Sequence, residues 1–309
     1  MGLPVTVYRS TDVGAPQLIN GKPSSWINIL KKVLVDGYGD KAPLGWTLEF
    51  EDTSVFSVAF RNSLADGGSG CFAKFYSTTN VDGNYAVLGM NCCQSMSDIN
   101  TLIKPVGARG ISTNSSVPHW QIIGTSRGFY ISCESTIIKM GSPGGGNVEH
   151  QCYFIGDFES SVIGDTSPYT IVSGTNGAGD VISSNGLNFY TNYMYSNVYA
   201  TDGSSGSVFC TITKPLYYTG STSPDGDAEL LGINHLMTNI LIYNANIAYN
   251  SNLILPRVRG SIPGLYCSSF AGYRFDSWPK DLTQGGFKWT LLRGYASPQF
   301  WIKASTWYD

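Results

Sequence analysis

Ser24–Gly39, SSWINILKKVLVDGYG, decides how the rest of the chain is read. Trp26, Leu30, Val33 and Leu34 fall at i, i+4, i+7 and i+8, so they share one face of an α-helix. Ile27 and Ile29 widen that apolar stripe, while Asn28, Lys31, Lys32 and Asp36 lie mostly on the other side. Ser24 or Ser25, just after Pro23, is expected to cap the first free N–H groups, although neither has the Glu or Gln three residues on that completes a capping box. Gly37 and Gly39 supply the φ > 0 positions at which helices commonly end. The spacing predicts a helix over about 24–36. Almost everything else reads as strand and turn, so the expected picture is one helix laid across a sheet and covering a face that would otherwise be wet. That makes it a core helix rather than a recognition helix.

Working outward, Val5–Tyr8 reads as a first strand. Trp46–Phe50, Val55–Asn62, Phe72–Ser77 and Tyr85–Met90 read as a four-stranded meander beside the helix, with ADGGSG at 65–70 as a hairpin turn. In the second of these, Val55, Ser57, Ala59 and Arg61 alternate with Phe56, Val58 and Phe60, the pattern of a half-buried antiparallel strand. Ser97–Lys104 reads as a short second helix capped by Ser97 or Asp98. Trp120–Gly124, Gly128–Cys133 and Gln151–Ile155 follow as strands. After Pro168 charge becomes sparse, and Asn, Ser, Gly and Tyr dominate to about Asn252, with strands expected at Leu187–Met194, Val208–Thr213, Leu230–Ile233 and Ile240–Ala245. Tyr273–Phe275, Phe287–Leu292 and Gln299–Lys303 are the expected closing strands. The fold class is therefore α+β, mostly β, with antiparallel meander sheets and one short N-terminal amphipathic helix packed on a sheet. Residues 1–167 form a first β-rich lobe and 168–309 a second, the two making one compact unit.

Composition narrows the function. The chain has 309 residues, 42% apolar and only 13% charged, with 36 glycines and 19 tyrosines. A low charge content suits a surface packed among neighbours, because few charges need desolvating there. Net charge is −3, with no basic patch to neutralise phosphates, which argues against nucleic acid as a partner. No apolar run reaches the length that spans a bilayer as a helix, so no membrane partner is expected. The seven cysteines form no CxxC pair and lie singly in apolar strand patterns, where free cysteine packs as a small hydrophobe. Their odd number, with no secretory pattern in MGLPVTVYRS, points to folding in a reducing compartment.

The candidate chemistries are thin. GSPGGGN at 141–147 lacks the Lys-Ser or Lys-Thr of a phosphate loop and reads as a hairpin tip. His150 and Cys152 point to one side of a strand, but without a second paired ligand motif they read as core beside Cys133 rather than as a metal site. Asp225, Asp227 and Glu229 lack the rest of a calcium loop. Glu49, Glu51 and Asp52 lie at one strand end instead of facing each other across a cleft. No GxSxG surrounds any serine, and His119, His150 and His235 are the only histidines. No catalytic residue, metal or cofactor is expected. The aromatics of NFYTNYMYSNVY at 188–199, namely Tyr190, Tyr193, Tyr195 and Tyr199, are the candidate partner-facing residues, for a glycan or for another protein.

Thr6–Phe50 taken whole resembles the opening of a family of structural proteins from tailed-bacteriophage particles. The residues carrying the likeness are Tyr8, Arg9, Ser10, Asp12, Gly14, Ala15 and Pro16, then Leu34, Val35, Gly37, Tyr38, Gly39, Lys41, Ala42, Gly45 and Trp46. GDFES and GDTSPY within 156–169, RGSIPGLY at 259–266 and the closing FWIKASTWYD are similar too, whereas about 170–250 carries no likeness. The resemblance implies a non-enzymatic virion protein of the tail or baseplate region, assembled in the host cytoplasm with other virion proteins in several copies or as a homo-oligomer. It carries over no catalytic residues. Independently of the family, Gly37, Gly39 and Gly45 allow tight turning, and Tyr38 and Trp46 pack the helix end on the sheet, so Trp26, Leu30, Leu34, Gly37, Tyr38, Gly39 and Trp46 form a structural motif. The rival readings are a carbohydrate- or receptor-binding adhesin of the particle, a capsid decoration protein, and a polysaccharide hydrolase using Glu49 and Glu51.

Overall fold

The computed structural model describes residues 2–135, 140, 150–173, 195–204, 208–212, 235–244, 254–268, 273, 275–292 and 300–309. Strands β1 (Leu3–Pro4) and β2 (Thr6–Arg9) precede helix α1 (Pro23–Lys31), which runs on as a π-helical turn over Lys32–Asp36. Next come β3 (Thr47–Asp52), β4 (Ser57–Arg61), β5 (Phe72–Ser77), β6 (Leu88–Asp98) and β7 (Thr101–Ile111). Then follow β8 (His119–Gly124), β9 (Gly128–Glu134), β10 (His150–Asp157), β11 (Glu159–Ser160) and β12 (Tyr169–Ser173). The last are β13 (Tyr195–Val198), β14 (Val208–Ile212), β15 (Met237–Tyr243), β16 (Val258–Ser268), β17 (Asp281–Gln284), β18 (Phe287–Leu291), β19 (Phe300–Lys303) and β20 (Thr306–Trp307). The protein is mostly β with a single short helix among the described residues, and their strand pairings are antiparallel. The expected strands at Leu187–Met194 and Leu230–Ile233, the GSPGGGN tip and the acidic run Asp225–Glu229 lie outside the described residues.

The helix stands where its period requires. Trp26, Ile29, Leu30, Val33 and Leu34 are fully buried in one core with Val58 and Phe60 of β4 and Ala73 and Phe75 of β5. Each large side chain so buried contributes about 1.5–3 kcal/mol. The serine cap expected from the sequence is not what forms. Lys22 is the capping position and makes no side-chain bond, and Ser25 Oγ donates back to the Lys22 carbonyl at 2.8 Å. Ser24 gives both its N–H and its Oγ–H to the Asp82 carboxylate, at 2.9 and 2.7 Å. A carboxylate from a distant turn thus occupies the positive end of the helix, a placement worth about 0.3–1 kcal/mol. At the other end Gly37, at φ +81°, donates its N–H to Lys32 O at 2.8 Å and turns the chain out.

β3 to β7 form a five-stranded meander in sequence order. The fifth strand corrects the second helix expected at Ser97–Lys104. Asp98 Oδ1 accepts the N–H groups of Asn100 and Thr101 at 2.8 and 3.0 Å, an Asx turn that closes a tight hairpin between β6 and β7. Ile99 and Leu102 have helical spacing, but they pack with Phe50, Phe72, Cys93 and Met96 on the sheet face away from the helix. Lys104 has φ +50° and precedes a proline, two further reasons for no helix. In β4, Val58 and Phe60 face the helix and Ala59 faces the other cluster, as the alternation predicts, yet both faces are buried rather than one. The strand begins at Ser57, after Phe56 takes φ +53°, and not at Val55.

A second, larger sheet follows the path β17-β18-β19-β16-β15-β14-β13-β12-β10-β9-β8-β2, with β11 added on β16. It runs without a break across Pro168, since Asp157 of β10 pairs with Tyr169 of β12. Its two ends meet. β1 pairs with β20, Val5 N donates to Ser305 O at 2.9 Å, and Arg9 of β2 reaches Asp281 of β17 with both Nη groups at 2.8 and 2.6 Å. The sheet therefore curls around one interior, to which β8, β9, β10, β12, β13, β14, β15, β16 and β19 all contribute, including Tyr130, Phe154, Ile242, Leu265 and Phe300. The outer face of β8, β9, β10 and β12 packs on the helix and the first sheet through Trp120, Phe129, Ile131, Tyr153 and Ile171. Burial on both faces explains why WQIIG and GFYISC read as continuous apolar runs. Tyr273–Phe275 is not the expected strand. Tyr273 stands at φ +60° in a turn closed by Asp276 N to Tyr273 O at 3.1 Å, and Phe275 is exposed.

Candidate functional site

Two clusters of polar side chains stand out, and both are built from segments singled out in the sequence. The first joins the opening segment to the edge of the large sheet. Asp12 accepts the Arg9 N–H at 2.7 Å, the Tyr38 hydroxyl at 2.8 Å and Lys41 Nζ at 2.6 Å. Burial works to raise the Asp12 carboxyl, but these donors outweigh it and hold the group below the usual carboxylate range. Lys41 Nζ also donates to Val7 O at 2.6 Å, and Tyr8 donates its hydroxyl to Ala42 O at 2.5 Å. Burial pushes the Tyr8 hydroxyl up to about 12. The carbonyl of Val7 and the N–H of Arg9 point away from β8, so Lys41 and Asp12 cover the open edge of β2 with charge, a recognised protection against strand addition. Gly39, at φ +57°, lies so close that a Cβ there would stand 2.5 Å from Val13 O. Trp26, Leu30, Leu34, Tyr38 and Trp46 are all buried in the adjoining core.

The second cluster draws together the three later segments. Glu159 of β11 pairs with Ser261 of β16, and its carboxylate accepts the Ser261 hydroxyl and the Tyr308 N–H, both at 3.0 Å. Asp165 and Arg259 form a buried, two-point ion pair, with Arg259 Nη2 donating to Asp165 Oδ1 at 2.8 Å. The Tyr308 hydroxyl donates to Asp157 O at 2.6 Å, and Arg127 lies over the Tyr308 ring at 4.0 Å. From the first sheet, Ser69 gives its N–H and Oγ–H to the Asp157 carboxylate at 2.8 and 2.5 Å, while Asn62 donates to Arg127 O at 3.1 Å. These parts border a cavity of about 530 Å³ that is open to solvent, lined among others by Gly68, Ser69, Arg127, Glu159, Asp165 and Tyr308. Sequence reading marked 156–169, 259–266 and 300–309 separately. Nothing in their spacing shows that they converge, or that the 65–70 turn joins them.

Asp157 has no exposed surface, and burial raises its carboxyl above the ordinary value despite the Ser69 bonds and Arg127 nearby. A carboxyl whose pKa is raised by folding stabilises the fold fully below the unfolded value, near 4, and loses that contribution as pH climbs through the folded value. Asp157→Asn removes this titration. Urea midpoints taken between about pH 4 and 7 should therefore show the wild type losing ground to the variant as pH rises. A difference that is flat with pH would mean that Asp157 does not titrate in this way.

The other candidates are dispersed. Tyr190 and Tyr193 lie outside the described residues, and Tyr195 opens β13, paired with Ser173 and Thr211. Tyr199 is half-buried, with its ring 6.3 Å from Tyr169 and its hydroxyl on Pro105 O at 3.4 Å. Glu51 pairs with Lys31 at 2.5 Å, and Glu49 accepts the Thr47 hydroxyl at 2.7 Å. Cys133 and Cys152 feed opposite faces of the large sheet, and no metal-sized group of His, Cys, Asp and Glu occurs among the described residues. Ser10 Oγ and His119 Nδ1 lie 2.8 Å apart, a pair that sequence distance hid. The serine is buried and also accepts the Trp120 N–H at 3.4 Å, so the contact joins β2 to β8. All seven cysteines are buried, and none forms a disulfide. No protein-family profile matches the chain, and no curated protein matches it.

Proposed function

We propose that this chain is a structural subunit of a tailed-bacteriophage particle, of the tail or baseplate region, acting through protein–protein assembly. One observation carries the reading beyond the sequence resemblance. The residues of that resemblance are spent on joints: Asp12, Tyr38 and Lys41 seal a strand edge, and Glu159, Arg259 and Tyr308 tie the first sheet's neighbour strands to the last ones. A pattern of residues used for locking a scaffold fits a protein whose task is to hold shape. The low charge content fits a surface that meets other subunits, in several copies and with no cofactor. On this reading the chain is made in the host cytoplasm and ends in the virion.

The test is quantitative mass spectrometry on particles purified from a phage that carries this gene. The expected result is the chain at fixed stoichiometry to known tail proteins. Its presence in the lysate but absence from washed particles would overturn the proposal.

A further inference from the structure

The cavity between the Gly67–Ser69 turn, Arg127 and the Glu159–Thr166 segment is built as a binding site, and we infer that it takes a neutral saccharide. The inference stands independently of the virion reading. Three observations lead to it.

The walls are fixed. Ser69 is held by Asp157, Gly70 N–H by Asn62 Oδ1 at 2.7 Å, Glu159 by Tyr308 and Ser261, and Asp165 by Arg259 and the Ser167 N–H at 2.9 Å. A site whose polar groups are locked before binding loses little entropy when the ligand arrives.

Hydrogen-bonding capacity is left over, of both signs. The Arg127 guanidinium makes no hydrogen bond to a described residue. Its Nε lies 3.5 Å from Asp157 Oδ2, its plane covers Tyr308, and Nη1 stands beside Gly67. It therefore keeps donors for a ligand. Glu159 accepts two bonds, and a carboxylate has about four acceptor sites. Fixed donors and fixed acceptors in one cavity match a ligand whose groups both give and accept, which is what vicinal hydroxyls do.

Charge and size agree. Arg259 matches Asp165 and Lys303 matches Asp309, so Glu159 and Arg127 balance each other in the lining, which favours a ligand without net charge. About 530 Å³ lies inside the range of small-molecule sites and leaves room for more than one sugar ring. A Cβ at Gly67 would meet only Arg127 Nη1, at 4.0 Å, so the backbone there lies open to a ligand.

The experiment uses the full chain on a glycan array holding neutral and acidic oligosaccharides, with Arg127→Gln and Val162→Trp beside the wild type. Val162 is half-buried in the lining, so tryptophan there fills the cavity without removing a polar contact. The expected result is binding to neutral glycans, weakened about tenfold or more in each variant, the scale of one charge-assisted hydrogen bond. If Arg127→Gln unfolds, Val162→Trp, checked by its melting temperature, decides alone. No binding on the array, binding confined to sialylated, uronic or sulfated glycans, or binding untouched by the tryptophan overturns the inference. A blank array leaves particle content unaffected, and absence from particles leaves a positive array standing, so the two proposals fail separately.

Discussion

Asp165→Ala is expected to lower the stability of the protein by about 3–5 kcal/mol, the usual result of stripping one partner from a buried ion pair. Arg259 and Asp165 side chains are only 3% and 4% exposed. The aspartate removed, Arg259 keeps carbonyl partners at Ser167 and Tyr199, at 3.4 and 3.2 Å, and the ring of Phe158, but no counter-charge. The double variant Asp165→Leu with Arg259→Met removes both charges and should recover most of the loss, because desolvating the pair nearly cancels its attraction. Urea denaturation of the three proteins measures this. A single variant within about 1 kcal/mol of wild type would mean that water reaches the arginine.

Trp46→Ala should cost a similar amount, about 3–5 kcal/mol, for a different reason. Trp46 is buried, its ring meets Phe129 edge-on at 5.2 Å, and its indole N–H donates to Thr125 O at 3.1 Å. It thus pins the segment after the helix to the turn between β8 and β9. Alanine leaves a cavity at the meeting of both sheets and an unmatched carbonyl. Trp46→Phe keeps most of the packing and should fall between, losing about 1 kcal/mol for the hydrogen bond plus the missing ring volume. Ile163→Ala, at a fully exposed turn, is the control and should stay within about 0.5 kcal/mol. Equal losses for Phe and Ala would assign the effect to the hydrogen bond rather than to packing.

These two sites also mark how far the sequence could be read. Trp46 and the stripe Trp26, Leu30, Val33, Leu34 were legible because local period and turn residues agree with the burial they receive. β3, β4 and β5 of the first sheet were legible for the same reason, whereas β6 starts at Leu88 rather than Tyr85 and β7 was not read as a strand. Ser97–Lys104 misled because Ser97 and Asp98 read as helix caps, while Asp98 uses the same carboxylate to close an Asx turn between two strands. Asp82 as the cap of the helix, Arg259 beneath Asp165, and Lys41 on the edge of β2 were not legible. Each is a contact between residues far apart in sequence, and a single chain carries no signal that pairs them. The candidate cavity was illegible as a cavity for that reason, although most of its wall segments had been marked.

The pairing of Leu3 and Pro4 with Trp307 and Thr306 has a consequence for biosynthesis. A ribosome adding about 5–20 residues per second needs about 15–60 s to make the partner that this first strand awaits. Val7 and Tyr8 find Ile123 and Ile122 sooner, but the seam between the first and last strands cannot close before the final stretch is out. Through that interval the nascent sheet has two unfinished edges, and chains on one polysome are close enough to pair with each other. Yield in a recombinant host should therefore depend on translation speed and chaperone supply more than on the stability of the finished fold.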